Sequence, residues 1–333
     1  MLFKKSLITA SLITVFSGVL VSTETMAETL TVYTYNAFTA KWGPGPAIKK
    51  AFEKECGDCT LKYVSLEGGV LNRLKLEGKR NKADILLGLD KNTMTEAQKT
   101  GLIAKHNVDT SHLNIPNGWN NAYFIPFDYG YFSFVYNSEK LQNPPKSMDE
   151  LLNSPKLRVI YEDPRTSTPG LGLLLWMNKI YGDKVDVAWQ KLAKQTVTVT
   201  KGWSEAYNLF LKGEADMVLS YTTSPAYHII AENEHKYRAA PFSEGHYMQV
   251  EVAAKTTTTQ HAKLADKFLR FMLSDGFQSQ IPTGNWMYPV TDIALPDGYQ
   301  SLSIPTKALS YSAQKVTQSR KDWIKIWQNN VSQ

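Results

Sequence analysis

Cysteine is nearly absent from this chain of 333 residues, with only Cys56 and Cys59 present. Two cysteines cannot by themselves build a structural zinc site, which takes four ligands. Thr60 follows Cys59 where haem attachment would need His, and Gly57-Asp58 lacks the strand-to-helix setting of a redox motif. In an exported chain the pair reads as a short-loop disulfide. Also missing are the Gly-x-Ser-x-Gly elbow of a hydrolase and the Gly-x-x-x-x-Gly-Lys loop of a nucleotide binder. Gly43-Pro-Gly45 and Gly170-Leu-Gly172 each lack the third glycine of a dinucleotide fingerprint. None of the six histidines pairs with another at metal-binding helical spacing, so they read as surface or structural residues. The formal charge of +6 is scattered without a polybasic tract, which argues against nucleic acid. Neither an internal repeat nor a low-complexity stretch occurs.

Long apolar runs are equally scarce. The single one, about residues 7–21, follows Lys4 and Lys5 and precedes the small-residue pattern Thr25-Met26-Ala27. A membrane span needs about 20 apolar residues, so residues 1–27 read as a secretory signal. No cysteine lies near the expected cleavage point, which argues against a lipid anchor. An exported protein with no membrane anchor is expected, and the remaining length suits two domains.

What is present is a regular alternation of strands and helices. Leu30–Tyr35, Leu61–Leu66 and Ala83–Leu89 read as strands. Ala47–Glu55, the segment carrying Val70, Leu71 and Leu74, and Thr93–Lys99 read as helices between and after them. The alternation predicts βαβ units and a mostly parallel sheet. Phe124–Tyr136 breaks the rhythm: it is long, aromatic and extended, as a strand pair crossing between two lobes would be. The rhythm then restarts with strands Arg158–Tyr161, Thr196–Val199 and Asp216–Ser220, and Tyr247–Ala253 reads as a return crossing. Two crossings between two α/β halves predict a cleft whose walls close by hinge motion.

Aromatic rings and small hydroxyls gather at the ends of these elements. Trp203 opens a helix, Tyr221 ends a strand, and Thr222-Thr223-Ser224-Pro225 opens the helix that carries Tyr227. Ser167-Thr168-Pro169-Gly170 and Gly68-Gly69 mark two further helix starts. Capping alone accounts for any one hydroxyl, since Ser or Thr before Pro starts a helix well. Three such junctions in one chain instead suggest a polar binding wall, because ligands in open α/β sheets lie beyond the carboxyl ends of the strands. Trp176, Trp189, Trp323 and Trp327 lie within apolar helical patterns and read as packing residues. Trp42, Trp203 and Trp286 stand in Gly- or Pro-marked turns; they either pin those loops or, with Tyr35, Tyr221 and Tyr227, box a flat ring. A cation over such faces gains about 0.5–2 kcal/mol. Asp90 and Asp163 near strand ends read as solvated loop residues rather than ligand acceptors.

Asp128-Tyr-Gly-Tyr131, the run Asp163–Leu173, Thr200–Tyr227 and Pro282–Pro289 resemble the thiamine-binding proteins of bacterial ABC importers. The resemblance runs through nearly the whole chain after the signal. It implies a two-lobed periplasmic binding fold of the second topological type, α/β in class, with each lobe a mostly parallel sheet flanked by helices and the ligand between them. Lobe 1 is then expected at residues 28–125 plus 250–290, and lobe 2 at 126–249 plus 291–333. By position the resemblance implies ligand contacts from Gly68, Gly69, Ser167, Thr168, Trp203, Tyr221, Thr222, Thr223, Ser224 and Pro225. It implies aromatic walls from Tyr35, Trp42, Tyr227 and Trp286. At Gly68-Gly69 the family pattern has Asp-Gly and a slightly longer loop, so one polar contact is missing there. The implied cargo is thiamine with its mono- and diphosphate, and the implied partner a membrane permease; a monomer is expected, with no catalytic residue, cofactor or metal. The competing readings are a binder of another cation, such as a polyamine or ferric iron, a thiaminase-like enzyme, and a structural exported protein. Ferric binding favours adjacent tyrosines, which this chain lacks, and both cysteines fall in one short segment unsuited to a nucleophile.

Overall fold

The computed structural model describes residues 27–66 and 69–331, so the signal assignment up to Met26 and the candidate ligand residue Gly68 lie outside the described residues. The chain opens with strand β1 (Glu28–Tyr35), a single turn α1 (Asn36–Thr39), helix α2 (Gly45–Cys56) and strand β2 (Cys59–Leu66). Helix α2 buries Ile48 and Phe52, one turn apart, and stops at Gly57, whose φ of 78° a side chain would resist. Helix α3 (Val70–Glu77), strand β3 (Ile85–Asp90) and helix α4 (Met94–Lys99) follow. Strands β1 and β2 pair in parallel, as do β1 and β3, completing the expected βαβ units.

The aromatic segment forms one unbroken strand, β4 (Ile125–Asn137), rather than the expected strand pair. Its alternating side chains are buried on both faces, so nothing forces a turn within it. Beyond it lie α5 (Met148–Leu152), β5 (Val159–Glu162), α6 (Thr168–Tyr181), α7 (Val185–Ala193) and β6 (Thr196–Thr200). Next come α8 (Trp203–Leu211), β7 (Met217–Tyr221), α9 (Pro225–Glu232) and the short β8 (Tyr237–Ala239). Strand β9 (His246–Lys255), helices α10 (Ala262–Phe271) and α11 (Asp275–Gln278), and the long helix α12 (Ala313–Val331) close the chain.

The main strand order is β2-β1-β3-β9-β4-β7-β5-β6. Pairing is parallel towards each outer edge and antiparallel where β9 and β4 meet β3, β7 and each other. Strand β4 pairs with β9 over Ile125–Tyr131 and with β7 over Phe132–Tyr136, so one strand belongs to both halves of the sheet. Apolar clusters cover both faces of each half: one around Phe52, Phe127 and Phe268, another around Leu74 and Phe124. The other half packs Trp176, Trp189 and Phe134 on one face and Tyr207 and Phe210 on the other. Helix α12 lies across both halves. Its Trp327 donates to Tyr161 on β5, while its Arg320 pairs with Glu96 on α4.

Cys56 and Cys59 form the expected disulfide, joining the end of α2 to the start of β2. Their sequence separation is three, and closing so short a loop removes little unfolded-state entropy, about 2 kcal/mol. Replacing both with serine should therefore lower the unfolding free energy from a denaturant series by that scale and leave ligand affinity unchanged in a titration.

Candidate functional site

The parallel strands of both halves direct their carboxyl ends to one cleft. Tyr35 ends β1, Asp90 ends β3, Glu162 ends β5 and Tyr221 ends β7, while Trp203 follows the end of β6. The rings group in pairs there. Trp42 and Trp203, carried by opposite halves, have centroids 6.4 Å apart, and Trp42 is 54% exposed. Trp203 also stacks on Tyr207 at 5.1 Å and donates from Nε1 to Ser220 Oγ at 2.8 Å. Tyr227 meets Trp286 edge-on at 5.3 Å. Trp286 has φ 57° and ψ 39°, a left-handed conformation that is rare for a bulky side chain and concentrates at functional sites.

A chain of hydrogen bonds runs beneath these rings. Asp128 Oδ2 accepts from Asn285 Nδ2 at 2.6 Å, and Asn285 Oδ1 accepts from the Tyr35 hydroxyl at 3.1 Å. The single proton of that hydroxyl is shared with Glu251 Oε2, the shorter contact at 2.7 Å. Glu251 Oε1 accepts from Gln249 Nε2 at 2.9 Å, and Gln249 Oε1 accepts from the Tyr221 hydroxyl at 2.7 Å. Tyr35 and Tyr221, on opposite halves, are thus connected through Glu251 and Gln249 of β9, and Asp128 of β4 joins through Asn285. Gly88 makes room for this, since a Cβ there would lie 2.4 Å from the Tyr35 ring. Burial raises the carboxyl of Glu251 to about 7, and it raises Asp128 well above its ordinary range, helped by the facing Glu251.

A second chamber lies between Gly69 and the start of α6, with a cavity volume of about 70 Å³. Ser167 and Thr168 line it together with Arg165, Arg320 and Asp90. Ser167 is the residue before α6, yet its hydroxyl makes no capping bond, which leaves it available to a ligand. Capping does not account for Ser224 either. Its hydroxyl meets Ser220 Oγ at 2.7 Å and accepts from the Tyr221 amide, bracing the strand end that carries the phenol. Thr222 and Thr223 are buried beside it, Thr222 Oγ1 without a partner, and Pro225 occupies the first turn of α9.

Asp90 corrects a sequence expectation. Instead of a solvated loop residue it is 4% exposed, and its Oδ2 is buried without a partner in the chamber wall. Removal from water raises it to about 6. Asp163 pairs with Arg165. Sequence reasoning also missed Gln249, Glu251, Asn285 and Arg320, and it passed over Asp128 as a contact. The available signal was polar residues at alternate positions of the otherwise apolar strand His246–Lys255. Among the described residues no cluster of three or more His, Cys, Asp or Glu could hold a metal ion, and no helix is long and apolar enough to cross a membrane.

Comparison with known proteins agrees with this architecture. The family described as bacterial extracellular solute-binding protein matches residues 39–279. The chain is 62% identical over 306 residues to the thiamine-binding periplasmic protein of Salmonella typhimurium, covering 91% of this chain and 93% of that one. The solved structure of a periplasmic thiamin binding protein superposes with a TM-score of 0.90 at 61% identity, covering 92% of this chain and 96% of that one. A ferric ion-binding protein from Pasteurella haemolytica, 16% identical, shares the fold with a TM-score of 0.76, covering 92% of this chain and 98% of that one. The relatives are named as binding proteins and as periplasmic, so the chain is a periplasmic solute-binding protein and not an enzyme. With a two-halved α/β sheet whose strand ends converge on one cleft, this chain belongs to the bacterial extracellular solute-binding proteins and, among them, to the thiamine-binding periplasmic group.

Proposed function

We propose that this protein captures thiamine, and its mono- and diphosphate, between two lobes and delivers it to the membrane permease of an ABC importer. The lobes are residues 28–125 with 250–290 and residues 126–249 with 291–333, and the protein acts as a monomer. The observation that carries the reading is the facing of Trp42 and Trp203 from opposite halves, at strand ends where the Tyr35 phenol bonds the buried Glu251 carboxyl and the Tyr221 phenol bonds Gln249. Such a site suits a flat cation. The thiazolium gains from the indole and phenol faces, and the aminopyrimidine has hydrogen-bonding edges for the strand-end side chains. Trp203, Tyr221, Tyr35, Trp42, Tyr227 and Trp286 are the walls in this reading.

The hydroxyethyl or phosphate arm enters the chamber beside Gly69, Ser167 and Thr168. The amide end of α6 favours an anion there, and Arg165 and Arg320 lie in the same wall. The printed names of the relatives support thiamine as the cargo. Native mass spectrometry of protein purified from cells tests the reading: thiamine or an ester should co-purify, and a different bound molecule overturns it. A hydrogen bond to a charged group contributes about 1.5–3 kcal/mol. Ser167→Ala should therefore weaken thiamine diphosphate by roughly tenfold or more, with a smaller change for thiamine in parallel calorimetric titrations.

A further inference from the structure

Asp128 on β4 and Glu251 on β9 are direct cross-strand partners, and Glu251 is also the partner of Asp90 on β3. Three acidic residues therefore stand side by side across neighbouring strands, an arrangement that costs stability when the groups are charged. Asp128 is wholly buried and Glu251 is 8% exposed. Asp90 has Lys91 and Arg320 for charge compensation. No ion pair among the described residues includes Asp128 or Glu251. Buried carboxylates are ordinarily paired or held neutral, so this pair lacks a cation. Among the described residues no group of three or more His, Cys, Asp or Glu is arranged to hold a metal ion.

We propose that Asp128 and Glu251 are the counter-charge for the cation of the captured ligand, and that the pair releases a proton to solvent as the cleft fills. The inference rests on the thiamine reading above and deepens it. Among the described residues, the ionisable groups found acting on the pair or on its phenols are neutral or acidic. Tyr35 comes from β1, Asp90 from β3, Tyr221 from β7 and Tyr299 from the segment before α12. Glu162 on β5, itself buried, acts on the same Tyr221. A permanent cation above the two phenols is then the positive charge nearest the pair. It favours the ionised form and stabilises a carboxylate that burial alone disfavours. The covalent balance is simple: one O–H bond of the pair breaks and the proton passes to buffer.

The sign follows from the direction of the shift. In the empty protein burial holds the Glu251 carboxyl well above its ordinary range, and a bound cation lowers it. Near neutral pH a measurable release, up to one proton per ligand, is expected. Affinity should fall by up to about tenfold per pH unit from pH 7 towards pH 5, because protonation competes with the cation.

The test is calorimetry of the full-length exported protein with thiamine at pH 7, in two buffers of different ionisation enthalpy. Binding heats that differ between buffers by the expected proton count support the proposal, as does weaker binding at pH 5.5. Thiamine binding with no proton release and no pH dependence overturns it while leaving the thiamine reading intact; no binding at all overturns both. Glu251→Gln should abolish the proton release and weaken thiamine about tenfold at pH 8. It should leave the neutral thiophene isostere of thiamine unaffected, since that ring carries no charge to balance. Asp128→Asn serves as the second variant should Glu251→Gln fail to fold. Equal losses for thiamine and the neutral isostere in a folded variant would assign the pair a merely structural role.

Discussion

Replacing Trp203 or Tyr221 with alanine is expected to weaken thiamine binding by at least about tenfold, a loss of about 1.4 kcal/mol or more. Trp203 presents its indole between Trp42 and Tyr207, so alanine removes one wall of the proposed ring box and the indole N–H that donates to Ser220. A single aromatic face over a cation contributes about 0.5–2 kcal/mol, and the lost apolar contact adds to it. Tyr221 does two jobs. Its ring leans on Phe132 with centroids 5.1 Å apart, and its hydroxyl ends the hydrogen-bond chain that reaches Asp128. Alanine there removes a face and uncouples Gln249 from the chain. Isothermal titration of both variants beside the parent protein checks this, with thermal unfolding as the control for folding. Unchanged titration curves for both would falsify the assignment of these rings to the site.

The largest stability effect is expected far from the cleft, at Trp176. This residue is fully buried on α6 and packs against Phe134, Phe242 and His246, with centroids 6.3, 5.6 and 5.3 Å away. Its Nε1 donates to the Gly245 carbonyl at 3.0 Å, tying α6 to the turn that begins β9. Trp176→Ala should cost about 3–5 kcal/mol through lost burial and the cavity left behind. The orphaned carbonyl adds to that cost. A urea unfolding series should show a lower midpoint, and thiamine at 100 times its Kd should restore about 2.7 kcal/mol. Recovery of that size would separate this variant from those of the proposed ring box, because Trp176 is not among the proposed ligand walls. A midpoint equal to that of the parent protein would mean that the second half does not depend on this packing.

The alternation of strands and helices was legible because it is a local property. Ile48 and Phe52 in α2, or the apolar run Ile85–Leu87 in β3, record which side of an element meets the core. The same local cues marked the element ends, so Trp203, Tyr221 and Ser167 could be singled out before their neighbours were known. Even there the role was open, since a serine before proline fits a cap as well as a ligand contact. The strand-pair expectation at Phe124–Tyr136 failed for a related reason. A two-sided buried strand has no polar face to mark its path, and its length alone does not reveal whether it turns.

By itself, then, the order of residues determined the α/β alternation, the apolar leader pattern, and the set of rings and hydroxyls that stand at strand ends. Tertiary structure alone decided which of them meet: Tyr35 reaches Glu251 across 216 positions of sequence and Asn285 across 250. It also decided that Asp128, Glu251 and Asp90 lie side by side and out of water. Local periodicity encodes how far a residue is buried, because that depends on its own element. The partner of a buried polar group depends on sheet order, which brings distant strands together and leaves no trace in the neighbouring residues.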